Sequence, residues 1–410
     1  VETVGDAEGA QDGLGLSRQR TDLPADAPYC LSDGASAPWE SVMPNLIHDL
    51  PYADVRDAIA RLMDNLVNIK DDTGEFLLRL EDGRVIDTKG WNDWEWTHGI
   101  GLYGIYKLYE QTNDPAALEI MLNWFRDRFA AGTPTKNINT VSPFLTLAYL
   151  YEQTGDQTFI PYLDAWAEWL MDGLPRTEED GFQHIVFNDE NPQELWDDTL
   201  MMSVLPLAKI GLVLDRPHYV EEAKKQFLIH IKYLFDRKTG LWFHGWTFLG
   251  RHNFADALWA RGNCWVTIAI PEFIELLDLP PEDSLRRFLI ETLDAQVKAL
   301  AEHQDESGLW RTLIPDHDSY LEASATAGFA YGILKAVRKR YIGAEYAPMA
   351  LKAVKGVLAN ISDDGELQQV SFGTPVFDEL QGYKDIPLTS MPYGQSLAIL
   401  CLGEFLRQYI

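Results

Sequence analysis

One pattern returns along this chain often enough to restrict its architecture. A turn of Asp, small residues and Gly, mostly followed by apolar residues, occurs five times. It reads Asp71-Asp-Thr-Gly74-Glu-Phe, Asp180-Gly181-Phe, Asp236-Arg-Lys-Thr-Gly240-Leu-Trp, Asp305-Glu-Ser-Gly308-Leu-Trp and Asp363-Asp-Gly365-Glu-Leu. With the weaker Gly132, six glycines punctuate the chain at intervals from 49 residues (Gly132 to Gly181) to 68 (Gly240 to Gly308). Units of that length hold two helices, a turn and a short strand-like excursion. Two segments are nearly literal copies, Leu108-Tyr-Glu-Gln-Thr-Asn-Asp114 and Leu150-Tyr-Glu-Gln-Thr-Gly-Asp156, each ending an apolar helical stretch with residues that stop it.

The helices implied by these units are of two kinds. Residues 219–234 carry charge on one face and apolar side chains on the other, as an outer helix should. Residues 97–104, 139–148 and 322–330 are apolar or small nearly all round, which suits helices buried on every side. An open solenoid would need polar capping repeats, whereas the last segment, Pro392-Tyr-Gly-Gln-Ser-Leu-Ala-Ile-Leu400, has the composition of another inner helix. The expected fold class is therefore all-α: a closed (α/α)6 barrel over residues 41–410, with an extended N-terminal arm over residues 1–40.

Composition narrows the partners. The net charge of -29, from 34 basic and 63 acidic residues, argues against nucleic acid, which requires basic patches. It also repels long polyanions, but a short, singly charged ligand feels far less of the field because screening acts over ~8–10 Å. Thirteen Trp and 17 Tyr supply flat faces suited to sugar rings. No apolar run is long enough to span a membrane. Cys30, Cys264 and Cys401 allow at most one disulfide, and no Cys/His metal spacing occurs, so neither metal nor organic cofactor is expected. The start at Val1 and the sequon at Asn360-Ile-Ser lean towards secretion, and the leftover thiol towards a cytoplasmic alternative. A monomer or weak homo-oligomer is expected.

In such a ring the starts of the inner helices converge on one mouth. The residues there are Trp94-Glu-Trp96-Thr-His98, Lys136-Asn137-Ile-Asn139, Leu195-Trp196-Asp197-Asp198-Thr199, Leu258-Trp-Ala-Arg261-Gly-Asn-Cys-Trp265, Glu322 and Met391-Pro-Tyr-Gly394. One of Asp197 and Asp198 is expected to cap its helix; the second has no evident structural use. Asp198 shares a helical stripe with Met201, Met202 and Leu205, and desolvation there should raise its pKa, as a general acid requires. Arg261 offers a fork for a carboxylate. His184 and His244 follow two of the repeated turns, and Trp96, Trp196, Trp246 and Trp265 supply aromatic walls. One acid, neutral donors, aromatic walls and one Arg fit an acidic sugar.

These segments resemble the unsaturated uronyl hydrolases of glycoside hydrolase families 88 and 105, more closely family 105. The resemblance runs from about Trp94 to the C-terminus. It rests on Trp-Thr-His-Gly (96–99), Gly-Phe-Gln-His (181–184), Leu-Trp-Asp-Asp-Thr-Leu-Met-Met (195–202), Phe-His-Gly-Trp (243–246), Trp-Ala-Arg-Gly-Asn (259–263), Ala-Ser-Ala-Thr-Ala (323–327) and Pro-Tyr-Gly-Gln (392–395). It implies an (α/α)6 barrel that removes a terminal 4,5-unsaturated uronic acid from short lyase-generated oligosaccharides. In that chemistry an Asp protonates C4 and helps water add at C5, and the hemiketal rearranges to release the neighbouring sugar. The resemblance puts that Asp at Asp198 and the uronate site at His184, His244, Arg261 and Trp265. The family often has a second Asp before the second inner helix, where this chain has Asn137. The rival readings are an inverting glycosidase pairing Asp198 with Glu322 or Asp197, and a non-catalytic helical-repeat binding protein.

Overall fold

Small residues decide which helices pass through the middle of the molecule. The computed structural model describes residues 46–407; the expected arm over residues 1–40 and Cys30 lie outside them. The helices are α1 (Tyr52–Asn68), α2 (Trp96–Thr112), α3 (Pro115–Ala131), α4 (Pro143–Thr154), α5 (Ile160–Glu168), α6 (Leu205–Val213), α7 (Pro217–Leu234), α8 (Ala260–Leu276), α9 (Ser284–His303), α10 (Ala323–Arg338), α11 (Ala347–Ala359), the short α12 (Leu380–Lys384) and α13 (Pro392–Arg407). Helices α2, α4, α6, α8, α10 and α13 pack in that order and close back onto α2. Each is backed by one outer helix: α3, α5, α7, α9, α11 and α1 respectively. The ring is an α/α toroid.

Closure depends on close backbone approach. A Cβ on Gly104 of α2 would lie 2.2 Å from Ser396 Oγ of α13, and Ser396 Oγ donates to Ile100 O at 2.5 Å. On Gly332 of α10 a Cβ would sit 2.3 Å from Thr267 O of α8. The outer helices show the expected amphipathic split: α7 buries Tyr219, Ala223, Phe227, Ile231 and Leu234 and leaves Glu221 and Lys232 in water.

The repeated turns are where the units lock together. Gly74, Gly240, Gly308 and Gly365 have φ of 72°, 82°, 90° and 83°, a region that favours Gly. A Cβ at Gly240, Gly308 or Gly365 would strike Ala295 O, Lys352 O or Arg61 O respectively, so each turn backs onto the next outer helix, and the last one onto α1. At Asp180-Gly181 the left-handed residue is Asp180 (φ 65°) instead. Gly132 is no equivalent turn but the C-cap of α3, with nothing near its Cβ position.

Among the described residues, four two-stranded antiparallel ladders occupy the loops. Cys264 and Cys401 are buried free thiols. Among the described residues no helix is long and apolar enough to cross a membrane.

Candidate active site

Hairpin topology alternates inner and outer helices, so the six inner helices run the same way and their N-termini share one mouth. A cavity of about 320 Å³ opens there. Glu95, Trp96 and Thr97 from the start of α2, Asn139, His184, Trp196, Asp198 and Trp259 line it. Three loops complete the wall: residues 75–78 and 88 before α2, Val186 and Phe187 after His184, and residues 372–375 between α11 and α13.

A strand ladder places Asp198. Strands Glu194–Trp196 and Gly245–Thr247 pair antiparallel, and the register continues one step, with Asp197 N donating to His244 O at 3.0 Å. His244 is thereby set beside Asp198, its Nε2 3.1 Å from Asp198 Oδ2, while its Nδ1 lies 2.9 Å from the Tyr383 hydroxyl. Burial lowers the pKa of His244 against the pull of Asp198, so the ring is neutral. An ionised Asp198 can only accept, which puts the ring proton on Nε2 and leaves Nδ1 to accept from Tyr383. Burial would raise the Asp198 pKa, but the hydrogen bond from His244, the imidazoles beside it and the Arg261 charge farther back outweigh it, and the net shift is downward. The expectation of a raised pKa from the apolar stripe fails for this reason. Nor does either Asp cap the following turn, a π-helical segment (Leu200–Val204) without a side-chain cap.

Behind Asp198 lies Asp197, fully buried. No side-chain donor or cation among the described residues pairs with either carboxyl oxygen; only the neighbouring Asp198 carboxyl and the local backbone N–H groups bear on it, without well-formed hydrogen-bond geometry. Gly262 makes room for it: a Cβ there would stand 2.4 Å from Asp197 Oδ2. Burial first, then the Asp198 charge, push its pKa far up. Donor atoms of Asp197, Asp198 and His244 all lie within 4.8 Å of one another, a spacing that either a cation or a shared proton would suit. A cation would require Asp197 ionised, so its surroundings favour the proton.

The remaining predicted residues divide into those on the cavity and those behind it. His184 and Trp196 line it, stacked at 4.3 Å and 11°. His184 Nδ1 is tied to Thr199 Oγ1 at 2.8 Å, and burial lowers its pKa to about 3, so it is neutral. Trp96 lines it too, stacked on Tyr393 at 4.5 Å. Arg261 is one layer back. Its guanidinium sits between Trp259 and Tyr393 and donates to Ser371 O (2.8 Å), Ser371 Oγ, Phe372 O (2.8 Å) and Thr374 Oγ1 (3.0 Å). Its fork therefore holds the loop that forms the wall. Trp265 is fully buried, edge-on to Trp96 at 6.0 Å. His98 braces the entry to α2, with Nε2 2.7 Å from Gly90 O and Nδ1 accepting from Glu95 N. Trp246 packs on Tyr233 at 5.3 Å, away from the cavity. Asn137 is buried and folded onto Thr140, whose N–H its Oδ1 accepts at 2.9 Å; the amide that reaches the cavity is Asn139. Glu322 accepts from Ser324, Ala325 N and Ser371 N and lies 3.7 Å from Arg261, so it is committed to capping α10 and to that pairing.

Sequence reasoning missed Glu95 as a site group. It caps α2, accepting from Trp96 N at 2.6 Å, and burial raises its pKa to about 8. It occupies the same place before α2 that Glu322 occupies before α10, so the signal was there. The contribution of Tyr383 and residues 372–375 had no signal, since they lie in an excursion outside the repeat.

An aromatic-walled cleft at the mouth of a helical-hairpin ring, with a cavity carboxylate braced by a neutral imidazole, defines a carbohydrate-active hydrolase. Known proteins agree. A family model described as Glycosyl Hydrolase Family 88 matches residues 68–409. Two crystal structures, each described as a possible member of the GH105 family, come from Salmonella enterica serovar Paratyphi A and Klebsiella pneumoniae. They share 58% and 59% identity with this chain and superpose with TM-scores of 0.88 and 0.87; each alignment covers 92% of this chain and 100% of the other. An unsaturated rhamnogalacturonyl hydrolase of Bacillus subtilis is 32% identical over 77% of this chain and 90% of its own length. The chain belongs to glycosyl hydrolase family 88 and, within it, to the unsaturated uronyl hydrolase group shared with family 105.

Proposed function

We propose that this enzyme removes a terminal 4,5-unsaturated glucuronyl or galacturonyl residue from short oligosaccharides by hydrating the C4=C5 double bond. Asp198 carries the reaction, because it is the cavity carboxylate held by His244 and facing the aromatic walls. In its acid form Asp198 protonates C4, and the ring oxygen stabilises the cation that develops at C5. Water then bonds to C5 and returns a proton to Asp198. The hemiketal opens by breaking the bond between C5 and the ring oxygen, and the hemiacetal left at C1 expels the neighbouring sugar. His184 and His244, both neutral, serve as hydrogen-bond partners. Trp96, Trp196 and Trp259 stack on sugar faces.

The uronate carboxylate meets no Lys or Arg on the cavity wall among the described residues. The neutral amide of Asn139 receives it, with the Arg261 charge one layer behind. A cavity of about 320 Å³ suits the end of a short chain rather than a polymer bound along its length. The likeness to a rhamnogalacturonyl hydrolase supports rhamnose as the neighbouring sugar. Glu322, spent on α10 and Arg261, gives the inverting alternative no second carboxylate on that side.

The test is loss of the ultraviolet absorbance of the conjugated uronide. Lyase digests of pectic rhamnogalacturonan, arabinogalactan, glucuronan and glycosaminoglycan would be compared, with Asp198→Asn as control. Loss with the wild type alone supports the reading and ranks the leaving sugars. Unchanged absorbance, with reducing sugar released from saturated substrates, overturns it.

A further inference from the structure

We propose that Asp197 stores the proton that Asp198 delivers, so that the two adjacent carboxyl groups share one proton and work as a relay. This rests on the double-bond hydration proposed above and explains a conflict inside it. Hydration begins with an acid, yet the geometry around Asp198 favours its carboxylate, which accepts from His244 Nε2 at 3.1 Å. The proton has to come from elsewhere.

Asp197 is the one carboxyl group among the site's buried, unpartnered polar groups, which otherwise are N–H donors of Asn137, Arg261, Trp246 and Trp265. Its carboxyl is fully buried, meets no side-chain donor or cation, caps no helix, and lies within 4.8 Å of a carboxylate oxygen of Asp198 and a ring nitrogen of His244. An ionised carboxylate in that position would have only poorly aligned local N–H groups to replace water, too little to offset its burial. A protonated one costs far less and can donate to Asp198. Space for it is built in: at position 262 any side chain would overlap the Asp197 carboxyl, with a Cβ only 2.4 Å from Oδ2. The groups facing Asp197 reinforce the neutral form. They are Asp198 on its own strand end, His244 across the ladder, Cys264 of α8 and Tyr383 of α12. Arg261, next to Gly262, directs its guanidinium to residues 371–374 and Glu322 instead.

The relay balances. The O–H bond of Asp197 breaks as one forms on Asp198, and Asp198 passes that proton to C4, where the π pair of C4=C5 makes the new C–H bond. Water bonds to C5, its proton goes to the Asp198 carboxylate, and the pair is again singly protonated. No oxidant or external acid is consumed. Asp197 is thus a positioning residue acting through Asp198.

The experiment is Asp197→Asn, which keeps size and shape but cannot give up a proton. The alkaline limb of kcat should move to lower pH by at least one unit, a rate deficit of about tenfold or more at neutral pH that closes as the pH is lowered. KM should stay within about threefold, because Asp197 does not line the cavity. A loss that is the same at every pH, or an unchanged profile, overturns the proposal. A second readout needs neither turnover nor a folded variant: wild type labelled with 13C-carboxyl aspartate should show, at neutral pH, an infrared band of a protonated carboxyl that shifts with the label. Absence of that band also overturns the relay. A band present in an enzyme inert towards every unsaturated uronide would support the stored proton while sinking the function proposed above.

Discussion

The two ends of the inner ring bury charge in opposite ways. At the mouth, Glu95, Glu322 and Asp198 stand at or just before the starts of inner segments, where helix dipoles attract negative charge. Towards the far end the inner helices carry Lys107 and Lys209, and their last turns Lys335, Arg338 and Arg407, the cations that helix C-termini favour. There every one of them is paired. Lys335, fully buried, bonds Glu272 and Glu275 at 2.5 Å each, Arg338 grips Glu404 through two nitrogens, Lys107 meets Glu110, and Lys209 meets Glu152. At the mouth the balance is left incomplete: Asp197 meets no side-chain donor or cation, Glu95 is held neutral, and Asp198 keeps one edge on the cavity. The difference separates structure from chemistry. Charges that only hold the ring shut are cancelled in place, whereas those meant to exchange a proton with substrate are left short of partners.

The contrast predicts that damage at the two ends separates. Asp198→Asn should cut turnover by about 10²–10⁴-fold, the usual worth of general acid–base catalysis, with an unchanged or higher melting temperature. A drop in stability alongside the lost activity would mean that Asp198 also holds the fold. Lys335→Met should do the reverse, costing about 3 kcal/mol of stability because buried Glu272 loses its nearest cation and keeps only Lys107, with kcat per folded molecule unchanged. Denaturant titration and an active-fraction assay on one preparation would decide it. The far end should also set the acid limit. Burial would raise the Glu272 pKa, but Lys107 and Lys335 outweigh it and hold it far below its ordinary 4.5. A lowered pKa means stability that is complete above that ordinary value and is lost as pH falls beneath it. Glu272→Gln should therefore flatten the acid side of the stability–pH curve; a curve unchanged in slope would remove Glu272 from that role.

How much of this was legible in the sequence follows the same division. The ring could be foreseen because its cause is local and repeated: Gly74, Gly240, Gly308 and Gly365 each demand a left-handed turn, and each unit repeats the demand. Asp198, His184 and His244 were legible because they adjoin those turns and inner-helix starts. Arg261, Trp265, His98, Trp246 and Asn137 were placed in the right neighbourhood but given too direct a part. Sequence position shows which mouth a residue occupies, not which of two packing layers. The pKa of Asp198 was misjudged for a related reason. Its apolar helical neighbours are visible in the sequence, while the opposing donor, His244, arrives across a strand ladder 46 residues away. Residues 372–375 and Tyr383 belong to an excursion that breaks the repeat, so nothing local announces that Arg261 fastens it over the cavity.

The smallest expected effect comes from Glu95, the mouth's other neutral acid, and it tests whether charge at this end acts on substrate at all. Its folded pKa of about 8 lies above the ordinary 4.5. Between those values the folded protein keeps a proton that the unfolded chain releases, so Glu95 makes stability fall as pH rises through that window and level off above about 8. Glu95→Gln should remove that decline, the opposite sign to the Glu272 variant. The same ionisation should be felt by the ligand. Above pH 8 an ionised Glu95 adds a negative charge to a cavity built for an anion, and at a separation of some 6 Å in a partly wet cleft that should raise KM about threefold to tenfold. Glu95→Gln should hold KM flat across the same range, with kcat following its own profile. If KM climbs equally in both proteins, the alkaline limit belongs to another group, and Glu95 serves only as the cap of α2.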